Sequence, residues 1–332
     1  MRIIGRLHAA RAVAVAVLVL LATLTPVTAI AAKKVKVVAT ISVFGDLVKQ
    51  IGGDRVEVSV LDPPTQDVHF YEPKPTDILK LSKAGLFVHA GLDLEQWRGP
   101  LVEAVRNKDF FPGGPRQVDC AQGVALLDVP TGGQLSRAYG DVHLYGNPHY
   151  YSDPSNFTII AGNIAARLAE VDPANAALYQ RNLAAFQTRL DGALPKWKAK
   201  LAPFAGQPLV AYHNTWPYFA RTFGLEIDTF LEPKPNIPPS ASHLRDVMNE
   251  IREKKMRAIL IEPFQHRAYA EQVASETGAK VVLVSQTPGG MPGTDDLFAW
   301  MDALTTSIAD ALGGGHSSSV GPSGSGEEGG ST

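Results

Sequence analysis

The sequence predicts an α/β fold of two similar lobes, each a parallel sheet wrapped by helices, joined by a long rigid helix. Runs rich in Val and Ile alternate with segments of helical periodicity in both halves of the 332-residue chain, which is typical of parallel βαβ units. Between the halves lie long helical segments without a strand-like run. Because parallel sheets bind ligands beyond the carboxyl ends of their strands, we expect a site in the cleft between the lobes.

The N-terminal lobe is predicted over residues 32–154. Continuous or alternating β-branched runs indicate its strands, and apolar residues three and four apart indicate its helices. The predicted strands are KVKVVATI (34–41), RVEVSVL (55–61) and GLFVHAG (85–91), and the predicted helices are SVFGDLVKQIGG (42–53) and DILKLSKA (77–84).

Residues 155–205 are predicted to be linking helices. The second of them opens with Asp172 as N-cap and Pro173 at the first helical position, and it continues for roughly thirty residues, well beyond the average helix of about 11–12 residues. Pro195 is expected to bend or interrupt it near its end. A helix of this length could serve as a stiff connection between two lobes.

The C-terminal lobe is predicted over residues 206–312, where strand and helix patterns alternate again. Its strands are expected at QPLVAYH (207–213), RAILIEPF (257–264) and KVVLVSQ (280–286). Helical periodicity marks the segments YFARTFG, SHLRDVMNEIREKKM, AYAEQVASETG and LFAWMDALTTSIADALG.

The two ends of the chain have compositions unlike the rest. Residues 1–31 combine three arginines, an apolar run and a final Ala-Ile-Ala, which is typical of a cleaved secretory signal and predicts a periplasmic protein. An uncleaved membrane anchor is the alternative. Residues 313–332 contain almost no large apolar side chains and are predicted to be a disordered tail, in which His316 is passive.

Composition excludes several classes of function. The formal net charge is −2, and removing Arg2, Arg6 and Arg11 with the signal lowers it to about −5, so no basic face for nucleic acid is expected. Cys120 is the only cysteine, which excludes an intrachain disulfide and a cysteine-based metal site. A transition-metal site would therefore be built from histidine and carboxylate. We find no G-x-S-x-G or P-loop pattern, no G-x-G-x-x-G after a strand and no H-E-x-x-H helix.

Three histidines lie where a cleft site would need them. His69 is in a proline-rich loop after the second strand, His149 is in GNPHYYSDPSN before the linking helices, and His213 ends the QPLVAYH strand. Stiff loops of this kind can fix metal ligands, although each residue could also be an ordinary loop or cap histidine. Spacing alone leaves both interpretations open.

The remaining histidines are weaker candidates. His89 lies inside an apolar strand and is interpreted as structural, as is His243 near a helix start. His143 is close to His149 and could act near the site as a supporting or entry group. His266 follows a strand end without a clear role.

An ordered set of segments resembles one known family. KVVATISVFGDLVKQIGGDRVEVSVL, DVHFYEPKPTDILKLSKAGLFVHAGLDLEQW, GNPHYYSDPSN, YHNTWPYFARTFGL and EPFQHRAYAEQVASETGAKVV follow each other over residues 34–312. In this order they resemble the metal-specific solute-binding proteins of bacterial ABC transporters, the zinc/manganese cluster of periplasmic binding proteins. The family fold implied is the two-lobed α/β architecture with the metal between the lobes.

The resemblance implies a set of metal ligands. His69, His149 and His213 match the family's three ligand segments. The family's fourth ligand is usually an aspartate after the last strand, where this chain has Ser285 and Gln286. Glu262, at the end of the RAILIE strand, is the preferred substitute, and Gln286, Asp295 or water are the other possibilities.

Three imidazoles and at most one carboxylate favour Zn²⁺ as the transported ion. Manganese prefers more carboxylate oxygen, so Mn²⁺ or copper are the alternatives within the family. A zinc-dependent hydrolase is the rival outside it, because three histidines and an open position are also a catalytic pattern. The expected function is not enzymatic: a monomer captures the ion and delivers it to an ABC transporter permease, with a periplasmic metallochaperone as a possible further partner.

Overall fold

The structure is a computed structural model that describes residues 33–130, 143–234 and 237–314. Val35–Thr332 form one compact unit, and Met1–Lys34 form a separate one of which only residues 33 and 34 are described. The predicted signal peptide and nearly all of the predicted tail, with His316, therefore lie outside the described residues. Within the described part, no helix is long and apolar enough to cross a membrane.

The first sheet has four parallel strands in the order β2-β1-β3-β4. Its first three strands confirm the predicted runs with bounds trimmed at each end. The elements are β1 Val35–Ala39, α1 Ser42–Gly52, β2 Val56–Val60, α2 Pro75–Ser82, β3 Leu86–His89, α3 Arg98–Val105 and β4 Gln117–Asp119.

The second sheet repeats this topology with the order β6-β5-β7-β8, again with parallel neighbours. The predicted α/β fold with two parallel sheets is thus confirmed. The elements are β5 Pro208–Ala211, α6 Pro217–Phe223, β6 Glu226–Phe230, α7 Ala241–Lys254, β7 Ala258–Ile261, α8 Arg267–Thr277, β8 Lys280–Leu283 and α9 Leu297–Gly313.

Two helices connect the sheets, α4 Phe157–Val171 and α5 Ala176–Leu201. The long helix begins later than expected, because Pro173–Asn175 form a separate 3-10 turn. The Asp172 carboxylate caps no backbone N–H there; instead it accepts hydrogen bonds from the Asn175 amide and from Tyr179 Oη at 2.6 Å. The 26 residues of α5 continue past Pro195, which lies inside the helix and does not end it.

Three elements were not predicted from the sequence. The strand β4 has only three residues, and α3 carries a weakly amphipathic pattern. The edge strand β6, EIDTF, alternates buried and exposed side chains and includes the polar residues Glu226, Asp228 and Thr229. Such short or half-polar elements take their structure from pairing with a neighbour, which the local sequence does not report.

A shared core joins the two halves. One large apolar cluster includes side chains from both sheets and from α1, α4, α5 and α9, and α5 packs against the other three of these helices. Along β5, Leu209 and Ala211 face this cluster, whereas Val210 faces a smaller cluster under α7 and α8. This alternation is what a parallel strand buried on both faces produces. The carboxyl ends of the strands in both sheets are therefore supported by one shared apolar core.

Candidate metal centre

The loop after β2 fixes the position of His69. A 3-10 turn, Val68–Phe70, begins at Asp67, whose carboxylate accepts the His69 N–H at 3.0 Å. The indole N–H of Trp97 donates to the Val68 carbonyl at 2.8 Å. The Nδ1 atom of His69 lies 3.4 Å from the Leu94 carbonyl oxygen, so this turn is tied to the rest of the lobe at both its backbone and its ring.

His149 begins a 3-10 turn, His149–Ser152, that directly follows Pro148. The Asn147 side chain accepts the His149 N–H at 2.9 Å, and Nδ1 of the ring lies 3.0 Å from the Tyr151 hydroxyl. The His149 side chain has no exposed surface. The prolines of GNPHYYSDPSN therefore belong to a rigid, buried turn rather than to a surface loop.

His213 lies two residues beyond β5, in the second sheet. Its Nδ1 is 2.8 Å from a carboxylate oxygen of Glu232, which follows the neighbouring strand β6, and both side chains are about nine-tenths buried. Parallel pairing of β5 and β6 places these two carboxyl ends side by side. A buried hydrogen bond of this kind orients the imidazole through one nitrogen and leaves the other free to bind a cation.

The three rings meet at one point between the two sheets. A ligand nitrogen of His69, one of His149 and one of His213 all lie within 4.8 Å of one another. The ring centroids are 5.1 Å apart for His69 and His149, 5.3 Å for His149 and His213, and 5.4 Å for His69 and His213. Among the described residues this is the group of histidine, cysteine and acidic side chains that could bind a metal ion.

The hydrogen bonds at Nδ1 decide which ring nitrogen can bind a cation. The Leu94 carbonyl and the Glu232 carboxylate can only accept, so Nδ1 of His69 and of His213 must carry the proton. The Tyr151 hydroxyl donates to Gln286 Oε1 at 3.4 Å and can then accept from Nδ1 of His149. Each ring thus has its lone pair on Nε2, the arrangement found in histidine ligands of metals.

The electrostatics of the three rings differ. Burial, reinforced by the neighbouring His69 and His213, holds the pKa of His149 well below its usual value, so that this ring is neutral. Burial also acts to lower the pKa of His213, but the hydrogen bond and charge of Glu232 outweigh it and raise the pKa overall. Of His149 and His213, the second therefore binds a proton the more readily.

His143 lies against the same group of rings. Its ring centroid is 5.2 Å from that of His69 and 6.1 Å from that of His149. Both ring nitrogens are buried and without a hydrogen-bond partner among the described residues. Burial and the neighbouring imidazoles lower the pKa of His143 to about 3. Its nitrogens fall outside the set of three that lies within 4.8 Å.

The candidates for a fourth ligand occupy different environments. Glu262 follows β7 and is 1% exposed, and burial raises the pKa of its carboxyl to about 7 against the opposing charge of His213. Neither of its oxygens has a donor in full hydrogen-bonding geometry in the described part of the chain, although the Gln286 amide is near enough to lower the pKa slightly. Asp295 is exposed in the loop before α9.

Ser285 and Gln286 follow β8, as the resemblance implied, and both are buried. The Ser285 hydroxyl donates to the Thr287 carbonyl at 2.6 Å, which closes a tight turn. The Gln286 amide donates to Thr215 Oγ1 at 3.3 Å and its oxygen accepts from Tyr151. Gln286 therefore supports the turn of His149 from the other lobe.

The other histidines lie away from the three rings. His89 is buried in β3 and is hydrogen-bonded to Gln117. The His243 ring lies 3.0 Å from the Phe230 carbonyl oxygen near the start of α7, and His266 is exposed before α8. Sequence reasoning missed Glu232 and Tyr151, which orient His213 and His149; Glu232 follows β6, a strand that the sequence analysis did not predict.

Comparison with known proteins identifies the family of the chain. Residues 37–311 match the family model described as zinc-uptake complex component A, periplasmic. The iron-binding protein YfeA of Yersinia pestis is 30% identical over 291 residues, which cover 85% of this chain and 88% of that protein. The manganese ABC transporter substrate-binding lipoprotein PsaA of Streptococcus pneumoniae is 27% identical, with 84% of this chain and 89% of that protein covered.

A crystal structure of ZnuA has the same fold, with a TM-score of 0.71 and 28% identity over 84% of this chain and 99% of that one. Fold and site together define a metal-binding, substrate-binding component of an ABC transporter. The chain belongs to the ZnuA family of metal ABC transporter substrate-binding proteins. These proteins are extracytoplasmic binding proteins rather than enzymes, and their role implies a membrane permease as partner.

Proposed function

We propose that this protein captures Zn²⁺ in the periplasm and delivers it to an ABC transporter permease for import. His69, His149 and His213 are the proposed ligands. The observation that carries the proposal is the convergence of their nitrogens within 4.8 Å. Tetrahedral zinc with Zn–N bonds of about 2.1 Å needs ligand atoms about 3.4 Å apart, so capture requires only a small inward shift of the rings.

The chemistry of the donors supports zinc over its alternatives. Neutral imidazoles suit Zn²⁺, whereas Mn²⁺ prefers a larger share of carboxylate oxygen. Glu262 is the proposed carboxylate ligand, with Gln286, Asp295 or water as alternatives, and it is the one buried carboxylate among them. The relatives named for manganese and iron keep Mn²⁺ and Fe²⁺ as alternative substrates, and the nitrogen-rich set also suits copper.

The fixed orientation of the buried imidazoles explains how the protein would take a hydrated ion from water. Entry of Zn²⁺ replaces its water ligands with imidazoles whose tautomers are already set by Leu94, Tyr151 and Glu232. Prior orientation of ligands lowers the entropic cost of binding. Because only neutral imidazole binds metal, the ion and protons compete for the same nitrogens.

Release is proposed to depend on local loop motion. The two sheets share one apolar core with α1, α4, α5 and α9, so a large hinge opening would expose packed side chains. The Trp197 indole donates to Asp302 at 2.8 Å, which links α5 to α9. The turns that carry His69 and His149 are the smaller units that a permease could displace. A monomeric state and loading by a metallochaperone remain further proposals.

Competition titration of the purified full chain tests the substrate. We expect one ion of Zn²⁺ per chain, displaced only by a large excess of Mn²⁺, with Cu²⁺ as the strongest competitor by the usual order of metal affinities. Tighter binding of Mn²⁺ than of Zn²⁺ would overturn the zinc assignment. The absence of binding by any of these ions would overturn the site itself.

A further inference from the structure

A fourth imidazole lies beside the three proposed ligands without any evident structural role. The ring of His143 contacts His69 at a centroid distance of 5.2 Å, with the planes inclined by 35°. It also lies 6.1 Å from the centroid of His149. No other turn or helix of the described chain uses its nitrogens, since both are buried and neither has a hydrogen-bond partner there.

Burial without a partner is costly for a polar group. A buried nitrogen that forms no hydrogen bond loses about 1–3 kcal/mol of solvation, and His143 has two. By contrast, His89 and His243, which are structural, each bond a protein oxygen through the ring. The ring of His143 lies beside the rings of His69 and His149, and neither of these rings forms a hydrogen bond with its nitrogens.

We propose that His143 is a fourth imidazole ligand of the transported ion, in addition to the carboxylate that balances its charge. The inference rests on the proposed function and extends its ligand set from three imidazoles to four. Coordination brings the His143 ring inward from its place outside the 4.8 Å group. No hydrogen bond of the ring has to break for this rotation, because neither nitrogen makes one within the described residues.

The chain near His143 allows such an approach while keeping the residue close to the site. Gly146, with φ +113°, brings the backbone to Asn147, which holds the turn of His149 through its side chain. A side chain at Gly146 would meet the Leu127 carbonyl oxygen at 2.9 Å. His143 is therefore joined to His149 by a short, closely packed segment, and the two rings can bind the same ion.

The consequence is selectivity. Four nitrogen donors and one carboxylate suit Zn²⁺ and Cu²⁺, both of which bind imidazole well, and disfavour Mn²⁺, which prefers oxygen. Replacing His143 should thus weaken zinc binding more than manganese binding. A merely structural residue would weaken both to the same extent, through the stability of the loop.

X-ray absorption spectroscopy of the zinc-loaded full chain, with titration of Zn²⁺ and Mn²⁺, tests the inference. We expect four imidazole nitrogens on zinc in the unchanged protein and three in His143→Ala and His143→Gln. Zinc affinity should fall by at least about 10–100-fold, because groups that only support a metal ligand already contribute that much. The matched control is His266→Ala, which removes an exposed histidine from a helix start.

The outcomes separate this inference from the proposed function. Three imidazoles on zinc in the unchanged protein, with an unaltered affinity in both His143 variants, would overturn the inference and leave the three-histidine site standing. Failure of the unchanged protein to bind zinc would overturn both. A variant that is destabilised will show a lower melting temperature in chelator. In that case the number of imidazoles on zinc in the glutamine variant, which keeps a polar side chain, decides whether His143 is a ligand.

Discussion

The two parallel sheets have the same strand order, yet they hold their histidines in different ways. In the first sheet, His69 follows the edge strand β2 at the end of a long loop and is paired with a neutral carbonyl group at 3.4 Å. In the second, His213 follows the central strand β5 by two residues and is paired with a carboxylate at 2.8 Å. The same topology thus presents one imidazole with an uncharged partner and one with a carboxylate partner.

This difference assigns separate tasks to the two halves. A carboxylate partner increases the basicity of an imidazole and strengthens its bond to a metal, but it also strengthens the bond to a proton. Glu232 outweighs the effect of burial and leaves the pKa of His213 raised, whereas that of His149, which belongs to neither sheet, is lowered. We infer that the second sheet sets the affinity and the proton competition, and that the first sheet supplies a ligand whose hydrogen-bond partner is uncharged.

Removal of either histidine should have the largest effect. His213→Ala and His69→Ala are each expected to reduce zinc affinity by at least about 100-fold, since even supporting groups typically contribute 10–100-fold. Because His213 carries the charge-assisted ligand, its loss should be the greater of the two. Isothermal titration of both variants checks the order, and a larger loss for His69→Ala would contradict the division of tasks.

Zinc affinity should also depend on pH. His213 must lose its proton before it binds the ion. Because its pKa is raised above the ordinary value of 6.5, protons begin to compete at a higher pH than they would for an unperturbed imidazole. Below that pKa, the apparent affinity should fall about tenfold per pH unit for each imidazole that becomes protonated. His149, with a lowered pKa, adds no competition until lower pH. A flat profile between about pH 5.5 and 7.5 would be inconsistent with these ligands.

Glu232→Gln should change that profile in a defined direction. The amide still accepts from Nδ1 but carries no charge, so the pKa of His213 should fall and the pH midpoint of zinc release should move to lower pH. At neutral pH, we expect zinc affinity to fall by about 10–100-fold. The matched control is Glu226→Gln, at an exposed position of β6, the strand that precedes Glu232. An unshifted midpoint would indicate that Glu232 does not govern His213.

Tyr151→Phe should have the smallest effect of the series. The hydroxyl orients His149 through a neutral hydrogen bond, and it also bonds Gln286 at 3.4 Å. Loss of a neutral hydrogen bond costs about 0.5–1.5 kcal/mol, which corresponds to roughly a 2–12-fold lower affinity. The phenyl ring keeps the edge contact with Phe44, so the melting temperature without metal should change little. Competition with a fluorescent chelator measures a loss of this size.

The sequence predicted the fold from local signals, and it drew attention to the three histidines, whose choice as ligands came from the family resemblance. Strand β7 is a continuous apolar run and β1 is rich in valine, and the histidines follow strand ends or a proline. The orienting groups have no such signal. Glu232 follows β6, whose half-polar sequence hides the strand, and the role of Tyr151 depends on a ring one turn away and on a residue of the other lobe.

The predicted start of the long helix was wrong for a related reason. Asp172-Pro173 is a helix-start pattern, yet the Asp172 carboxylate is used by Asn175 and Tyr179, which delays the helix to Ala176. The unsatisfied nitrogens of His143 and the buried oxygens of Glu262 are likewise properties of packing. Sequence patterns therefore located the candidate ligands, whereas their hydrogen-bond partners depend on the three-dimensional arrangement.

The most direct test of the central claim is metal analysis of the purified full chain beside His149→Ala. His149 is fully buried and belongs to neither sheet. Its ring centroid lies 5.1 Å from that of His69 and 5.3 Å from that of His213. After equilibrium dialysis against Zn²⁺, we predict one bound ion per unchanged chain and per His266→Ala control, and substoichiometric zinc in His149→Ala. Full zinc stoichiometry and unchanged affinity in His149→Ala would contradict the site.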